Sequence, residues 1–405
     1  MLFDVSQGLQ NKKLNMVEKK ISNIMPTYGK SSLEFVKGKG CYLYNKKNEK
    51  YLDFASGIAV NSLGHCHPKL VSVLNKQAKL LWHVSNLYTI KKQEDFASLL
   101  CKKSFADKVF FTNSGAESIE CGLKIIRGYH SYYQTGRTEI ISFKGAFHGR
   151  TFGAMSAQKN KKYSKGFGPL LSGFKQLEFN NINNLKETIN KKTAGILIEP
   201  VQGEGGIRVA ELRFLKFLRT ICNQNNILLF LDEVQCGFGR SGKLFSHEWA
   251  NIKPDLMAVA KGIGSGFPLG ACLSSNKACI SMQKGSHGST YGGNPLAMSV
   301  GLEVLKIISK NKFLQNVDKV SRYFWNNLKS LEYKFENIKE VRGAGLLVGI
   351  KTHTNNLEFS EKLKKYKLLN VPAADNTIRL APPLIVDFKE IDKCITIIKK
   401  VLKEN

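Results

Sequence analysis

Residues 227–266 read ILLFLDEVQCGFGRSGKLFSHEWANIKPDLMAVAKGIGSG and contain two short apolar runs, Ile227–Leu231 and Leu256–Ala260. Each run is short and wholly apolar, which is typical of a strand buried on both faces of a parallel sheet. Asp232 follows the first run, and Lys261 follows the second. Because ligands bind beyond the carboxyl ends of the strands in such sheets, we expect this acid and this amine to meet at a functional edge.

The rest of the chain extends this pattern in both directions. Three further apolar runs, separated by helical patterns, have the same character: Val109–Phe111, Ile140–Phe143 and Gly195–Ile198. This order predicts an α/β fold with a mostly parallel central sheet.

Three parts of the chain are expected. Residues 1–52 form an N-terminal segment that packs with the small domain, and their strand patterns predict an antiparallel meander: Leu33–Lys37, Cys41–Tyr44 and Tyr51–Phe54. Residues 53–309 form the large α/β domain. Residues 310–405 form a smaller α+β domain, predicted from one strand pattern, three helical patterns and further short strands up to Leu380. The strand and helical patterns are Leu346–Ile350, Val317–Leu331, Leu357–Tyr366 and Phe388–Leu402.

The composition restricts the class of protein. The 405 residues include 61 Lys and Arg against 32 Asp and Glu, a net charge of +29 that suggests an anionic partner. The lysines are spread along the whole chain, and no RNA-reading or zinc-finger pattern occurs, so we expect no nucleic-acid partner. No apolar run approaches the ~18 residues of a membrane helix. The nine scattered cysteines indicate neither disulfides nor a metal site, so we expect a cytoplasmic protein.

A nucleotide-binding alternative has to be considered first. Gly237–Lys243 matches the G-x-x-x-x-G-K pattern of a P-loop ATPase. The next residue is Leu244 instead of Ser or Thr, so the hydroxyl that would bind Mg²⁺ is missing. The glycines of residues 262–266 also lack the G-x-G-x-x-G spacing of a dinucleotide site.

Two other strand ends carry residues suited to a ligand. After Val109–Phe111, Asn113 or Ser114 can cap a helix, and its free N–H groups attract a phosphate; the alternative is an ordinary capped helix. After Ile140–Phe143, an aromatic ring and a guanidinium follow at Phe147 and Arg150. A ring can stack on a planar ligand, and Arg can bind a carboxylate with two hydrogen bonds. The alternatives are a core residue and a surface ion pair.

One cofactor suits these four features together. An aspartate at a strand end can hold a protonated pyridine nitrogen, and a neighbouring lysine can form a Schiff base. A helix N-terminus can bind a phosphate, and an aromatic ring can cover the cofactor ring. Asp232, Lys261, the Ser114 turn and Phe147 therefore predict a site for pyridoxal 5'-phosphate.

The motifs along the chain resemble those of class III (ornithine-type) aminotransferases, which have the type I aspartate-aminotransferase fold. The matching stretches run from one end of the chain to the other: Asp53–His65, Asn113–Glu117, Phe147–Thr151, Glu199–Gly206, Asp232–Gln235, Lys261–Gly262 and His287–Pro295. Val371–Asn376 and Ile378–Ile385 are most similar to the acetylornithine aminotransferases.

The resemblance implies a role for each cofactor-binding residue. Lys261 would form the Schiff base and move the proton, and Asp232 would keep the ring nitrogen protonated. Gln235 would bond near the ring hydroxyl, and Phe147 would stack on the ring. The phosphate would be bound at Ser114, Gly115 and Ala116, and by Thr290 from the partner subunit. The resemblance therefore also implies a homodimer with shared active sites.

Substrate-binding residues are implied in the same way. Arg150 would bind the carboxylate far from the reacting amine, and Arg379 would bind the α-carboxylate of glutamate. Glu204 would pair with Arg379 when the other amine donor is bound. Tyr28 and Ser289 would line the substrate site.

The expected reaction is transfer of an amino group from N2-acetyl-L-ornithine to 2-oxoglutarate, a step of arginine biosynthesis. It gives N-acetyl-L-glutamate 5-semialdehyde and L-glutamate. Ornithine, succinylornithine, succinyldiaminopimelate and 4-aminobutyrate remain as alternative donors. We expect small amino acids and 2-oxo acids as partners, and neither a membrane nor a metal.

Overall fold

The structure is a computed structural model that describes residues 23–29 and 32–404. The strands are β1 Phe35–Lys39, β2 Tyr42–Asn45, β3 Lys50–Asp53, β4 Lys108–Thr112, β5 Glu139–Phe143, β6 Phe174–Leu177, β7 Thr193–Ile198, β8 Val201–Gln202, β9 Arg208–Val209, β10 Leu228–Asp232, β11 Leu256–Val259, β12 Gly270–Ser274, β13 Ile338–Ala344, β14 Leu347–Thr352, β15 Leu368–Leu369, β16 Val371–Ala373 and β17 Thr377–Leu380.

The helices are α1 Ser56–Ala59, α2 Pro68–Ala78, α3 Lys91–Lys103, α4 Gly115–Tyr132, α5 Phe152–Gln158, α6 Lys161–Ser164, α7 Ile182–Thr188, α8 Leu212–Asn225, α9 Pro295–Ile308, α10 Asn311–Lys334, α11 Asn356–Lys365 and α12 Phe388–Lys403. Two short 3-10 helices are Ser246–Ala250 and Lys261–Ile263. None of the described helices has the length and apolar character needed to cross a membrane.

The central sheet confirms the predicted α/β fold. Its seven strands lie in the order β4-β12-β11-β10-β7-β5-β6, and β12 is antiparallel to both of its neighbours. The six other strands run in one direction. The carboxyl ends of β4, β5, β7, β10 and β11 therefore meet at one edge, together with the amino end of β12.

The predicted apolar runs form strands because helices cover both faces of the sheet. Strands β7, β10 and β11 are buried along their whole length. On one face, Gly122 of α4 lets the Phe230 ring pack closely, since a Cβ at Gly122 would lie 2.2 Å from that ring. On the other face, Phe214 and Leu218 of α8 join a core with Leu229 and Leu231.

Strands β6 and β12 were not predicted from the sequence. Strand β6 lies at the edge of the sheet, where Lys175 and Gln176 are half-buried, so it has no continuous apolar run. Strand β12 reads GACLS, and its small residues give a weak strand pattern.

The N-terminal sheet includes one strand from the C-terminal part of the chain. Strands β1, β2 and β3 form the predicted antiparallel meander, and β15 joins β3 in parallel. Strands β13, β14, β17 and β16 form a separate sheet, of which β13 was missed. The three predicted C-terminal helices are found as α10, α11 and α12, while the division into three domains stays a prediction.

Candidate active site

A cavity of about 490 Å³ lies at the carboxyl edge of the central sheet. It brings together eight of the predicted site residues: Ser114, Gly115, Ala116, Phe147, Arg150, Asp232, Gln235 and Lys261. They meet because β4, β5, β10 and β11 all end at this edge. The P-loop alternative gains no support, since residues 237–243 form turns and do not open a helix.

Asp232 is held firmly at the end of β10. Its Oδ2 lies 2.8 Å from Nδ1 of His148, and its Oδ1 accepts a hydrogen bond of 3.0 Å from the Val234 N–H. The carboxylate is only 3% exposed. His148 is also buried, and its Nε2 has no hydrogen-bond partner among the described residues. A buried and oriented carboxylate suits a positively charged partner in the cavity.

Lys261 begins a 3-10 helix directly after β11 and Ala260. It has a φ of 47°, a left-handed conformation that costs a non-glycine residue energy and is common at functional sites. The side chain lines the cavity and is partly exposed there. Desolvation and the positive charge of Arg379 lower the pKa of its amine to about 8. The amine therefore loses its proton, and becomes nucleophilic, at a pH much closer to the physiological range than an ordinary lysine does.

Glu199 is a site residue to which the sequence analysis gave no role. It directly follows β7, lines the cavity and is 5% exposed. Its carboxyl group accepts hydrogen bonds from the Phe147 N–H at 2.9 Å and the Gly203 N–H at 3.3 Å. Burial, and then the nearby charge of Asp232, raise its pKa well above the usual range. Its position after an apolar strand pattern could have identified Glu199 as a candidate, because Asp232 was identified from the same kind of position at the end of β10.

The N-terminus of α4 forms another wall of the cavity. Ser114 caps this helix, with its Oγ accepting from the Glu117 N–H at 3.3 Å and the Glu117 carboxylate accepting from the Ser114 N–H at 3.0 Å. The N–H groups of Gly115 and Ala116 lie in the first turn, where no intrahelical acceptor exists. A Cβ at Gly115 would lie 2.8 Å from Val234 Cγ1, so glycine is needed for this close approach. Such a turn can bind a phosphate.

Arg150 lies at the open end of the cavity. It is exposed, and its guanidinium carbon is 3.9 Å from the centre of the Tyr163 ring and 5.6 Å from that of Phe147. Cation–π contacts of this kind contribute about 0.5–1 kcal/mol at exposed positions. Tyr163 thus restricts the orientation of a guanidinium that remains free to bind an anion.

Arg379 is buried, with 1% of its side chain exposed. Its Nη1 donates to Glu204 Oε1 at 2.6 Å and to Gln235 Oε1 at 2.9 Å. Its Nε and Nη2 have no partners among the described residues. The Glu204 side chain is 27% exposed, so the arginine is fixed inside the protein while its carboxylate partner lies nearer to solvent.

Five predicted residues are not part of the lining of this cavity. Arg379 and Glu204 are connected to it through Gln235, whereas Ser289, Thr290 and Tyr28 lie elsewhere. Ser289 and Thr290 line a separate cavity of about 400 Å³, and Asn113 lines both. The Asn113 Nδ2 donates to Ser289 Oγ at 3.3 Å. Tyr28 is 85% exposed. Within one chain, Tyr28, Ser289 and Thr290 do not line the cavity that contains Lys261.

Comparisons with known proteins agree with this geometry. The family model "Aminotransferase class-III" matches residues 24–402. The acetylornithine aminotransferase of Agrobacterium fabrum is 49% identical over 91% of this chain and 92% of its own length. Among solved structures, ornithine aminotransferase from Toxoplasma gondii has a TM-score of 0.90 at 28% identity, covering 94% of this chain and 93% of its own. N-acetylornithine aminotransferase from Stenotrophomonas maltophilia has a TM-score of 0.81 at 31% identity, covering 92% and 96%.

The residues of the cavity also suit the family's cofactor. The Toxoplasma gondii structure shows partial occupancy of pyridoxal 5'-phosphate (PLP) at its active site. In the present structure, the buried carboxylate of Asp232, the amine of Lys261 and the close-packed helix terminus at Gly115 supply the groups that PLP requires. The chain belongs to the class III aminotransferases, which are PLP-dependent enzymes.

Proposed function

We propose that this enzyme transfers an amino group from N2-acetyl-L-ornithine to 2-oxoglutarate, giving N-acetyl-L-glutamate 5-semialdehyde and L-glutamate. The observation that carries the proposal is the presence of two different arginines near Lys261. Arg150 is exposed and lines the same cavity, and Arg379 is paired with Glu204 and close enough for its charge to lower the pKa of Lys261. The choice of donor is supported by eight curated relatives that are 43–50% identical to this chain, all of which are named acetylornithine aminotransferases.

The cofactor would be held from several sides. Lys261 would hold its aldehyde end through the amine, and Asp232 would face the ring nitrogen and keep it protonated. Phe147 would cover the ring, and Gln235 would bond near its hydroxyl. The phosphate would be held at Ser114, Gly115 and Ala116. When bound, PLP supplies an electron sink for the carbon that loses its proton.

Lys261 would be the acid and base of the reaction. Once released from the cofactor, its amine takes the proton from the carbon that bears the donor's amino group. A pKa lowered to about 8 favours this role, because an ordinary lysine would stay charged. Asp232 would be held in place by His148, whose Nδ1 lies 2.8 Å from its Oδ2.

Two substrates with different charges would share the site. In either donor, Arg150 would bind the carboxylate that lies far from the reacting amine. Ser289 and Tyr28 would line the substrate site. Arg379 would bind the α-carboxylate of glutamate. With the acetylornithine donor, Glu204 would stay on Arg379, because an unpaired buried guanidinium costs several kcal/mol.

A homodimer with shared active sites would complete the cavity. Ser289 and Thr290 lie away from Lys261 of their own chain, and Thr290 would reach the phosphate in the partner subunit. Large exposed apolar residues occur in the neighbouring segments: Leu80, Trp82, Leu87, Tyr88 and Tyr291. Asn86 connects the two segments by donating to the carbonyl oxygens of Ser289 at 3.1 Å and Gly292 at 3.0 Å. Sedimentation should give twice the chain mass; a monomer that retains full activity would contradict the shared site.

We also propose a cytoplasmic location. All nine cysteines are free thiols, which fits a reducing compartment. Fractionation of cells that express the full chain would test this.

Donor specificity is the test of the proposed reaction. We would compare kcat/KM for N2-acetyl-L-ornithine, ornithine, succinylornithine, succinyldiaminopimelate and 4-aminobutyrate, with 2-oxoglutarate as the acceptor, because specificity is the ratio of these values. The proposal requires the highest value for N2-acetyl-L-ornithine. A higher value for another donor would reassign the substrate without changing the reaction class.

A further inference from the structure

A second cavity, of about 360 Å³, adjoins the substrate end of the active site. Its lining includes Lys162, Tyr163, Glu204 and Asn356. Two of these residues also contact the arginines of the active site: Tyr163 lies under Arg150, and Glu204 pairs with Arg379. At about 30 Å³ for each water, the cavity has room for about ten water molecules and hence for a displaced side chain.

Glu204 is the movable partner of its ion pair. The Arg379 side chain is 1% exposed and also bonds to Gln235, whereas the Glu204 side chain is 27% exposed. The Glu204 backbone is fixed, because its carbonyl oxygen accepts from the Ala374 N–H at 3.0 Å. Gly205 is packed so closely that a Cβ there would lie 2.5 Å from the Gly145 carbonyl oxygen. The carboxylate can therefore leave Arg379 only by rotation of its own side chain.

Lys162 offers the displaced carboxylate a positive charge. It lies on α6, whose start is capped by Asn160, with the Asn160 Oδ1 accepting from the Lys162 N–H at 3.0 Å. Among the described residues, no carboxylate forms a salt bridge with the Lys162 ammonium. In this structure Glu204 and Lys162 line one cavity, but Glu204 is paired with Arg379 instead.

We propose that this second cavity receives the Glu204 side chain when Arg379 binds a dicarboxylate, and that Lys162 is the residue that holds it there. The inference rests on the proposed masking of Arg379 by Glu204. Lys162 then stabilises the form of the enzyme in which Arg379 is free. Glutamate and 2-oxoglutarate need that form, and an acetylated ω-amine donor does not. Lys162 is thus a specificity-determining residue that never touches the substrate.

The test compares the two half-reactions of the PLP-loaded enzyme, followed separately by stopped-flow absorbance. In Lys162→Gln, kcat/KM for glutamate should fall about two- to fivefold, the size of a partly exposed ion pair. The value for N2-acetyl-L-ornithine should not fall. Inhibition by glutarate, a non-reacting dicarboxylate, should weaken by the same factor. Lys162→Arg should restore both, and Lys161→Gln, on the same short helix but outside the cavity lining, should change neither.

Combination with Glu204→Ala separates this inference from the function on which it rests. In the Glu204→Ala background no carboxylate needs a receiving site, so Lys162→Gln should have no further effect on glutamate. If Glu204→Ala leaves the ratio of the two half-reactions unchanged, the masking role itself is wrong. If Glu204→Ala alters that ratio but Lys162→Gln does not, or if Lys161→Gln acts as strongly as Lys162→Gln, only the receiving site is wrong.

Discussion

The two ends of the active-site cavity differ in how their charged side chains are held. At the cofactor end, Asp232 is 3% exposed and is bonded to both His148 and a backbone N–H. At the substrate end, Arg150 is exposed, and Glu204 keeps 27% of its side chain accessible. The cofactor never changes, so its charges can be fixed permanently. The two amine donors differ in charge, so at least one group at the substrate end has to move.

The largest effect is expected at Lys261. Lys261→Ala should lower transamination on the order of 10⁴-fold or more, because we propose this residue as both the attachment point of the cofactor and the proton carrier. The protein should also lose the absorbance band of PLP bound to Lys261. In the unaltered enzyme, reduction with borohydride should attach this chromophore permanently to the chain. Lys253→Ala, at an exposed position shortly before β11, is the control. Retention of the fixed band in Lys261→Ala would overturn the assignment of the cofactor end.

A smaller but still large loss is expected at Asp232. Asp232→Asn keeps the shape of the side chain but removes the negative charge, so kcat should fall at least about 100-fold. Asp255→Asn serves as the control, since Asp255 lies at the opposite end of β11, where it accepts from Arg219 Nη1 at 2.8 Å. That variant should lower the melting temperature more than kcat. Equal losses of kcat in both variants would mean that Asp232 acts only through the fold.

At the substrate end, Glu204→Ala should shift specificity more than it lowers activity. With Arg379 unmasked, kcat/KM for N2-acetyl-L-ornithine should fall about tenfold relative to that for glutamate, a difference of about 1.4 kcal/mol between the two transition states. Glu211→Ala, a surface change at the start of α8, is the control. If kcat/KM fell equally in both half-reactions, Glu204 would not be the movable group that distinguishes the substrate end from the cofactor end.

The smallest predicted effect is a pH dependence at the cofactor end. Burial lowers the pKa of Lys261 to about 8, so the reactive neutral amine of the cofactor-free protein increases as pH rises through 8. The rate of reconstitution with PLP should increase about fivefold from pH 7 to pH 8 and level off above about pH 9. An ordinary lysine would keep gaining about tenfold per pH unit to about pH 10. A rise that continues to pH 10 would show that the amine is not desolvated.

Much of the cofactor end could be predicted from the sequence, because the positions of its residues follow from short local patterns. Asp232 and Lys261 each follow a buried strand, and Ser114 begins a helix directly after β4. Parallel strands bring such positions to one edge regardless of their separation in sequence. Strand β12 was missed because its small residues lack the apolar pattern, although its antiparallel insertion between β4 and β11 shapes the same edge.

Contacts between distant segments could not be predicted in this way. No local pattern indicates that His148 bonds to Asp232, or that the carboxyl group of Glu199 is bonded to the backbone of Phe147. The ion pair between Arg379 and Glu204 was expected only through the family resemblance, and its two residues are 175 positions apart.

The sequence by itself determined the fold class and the family, and it predicted which chemical groups line the cavity at the cofactor end. Hydrophobic periodicity and strand-end positions are local properties, so they can be recognised in the sequence without knowledge of the fold. Only the tertiary structure decided which charge is buried, which remains accessible and which cavity lies beside it. Burial and Coulomb interaction depend on three-dimensional distance, so Arg379 becomes fixed and Glu204 movable only when the chain is folded.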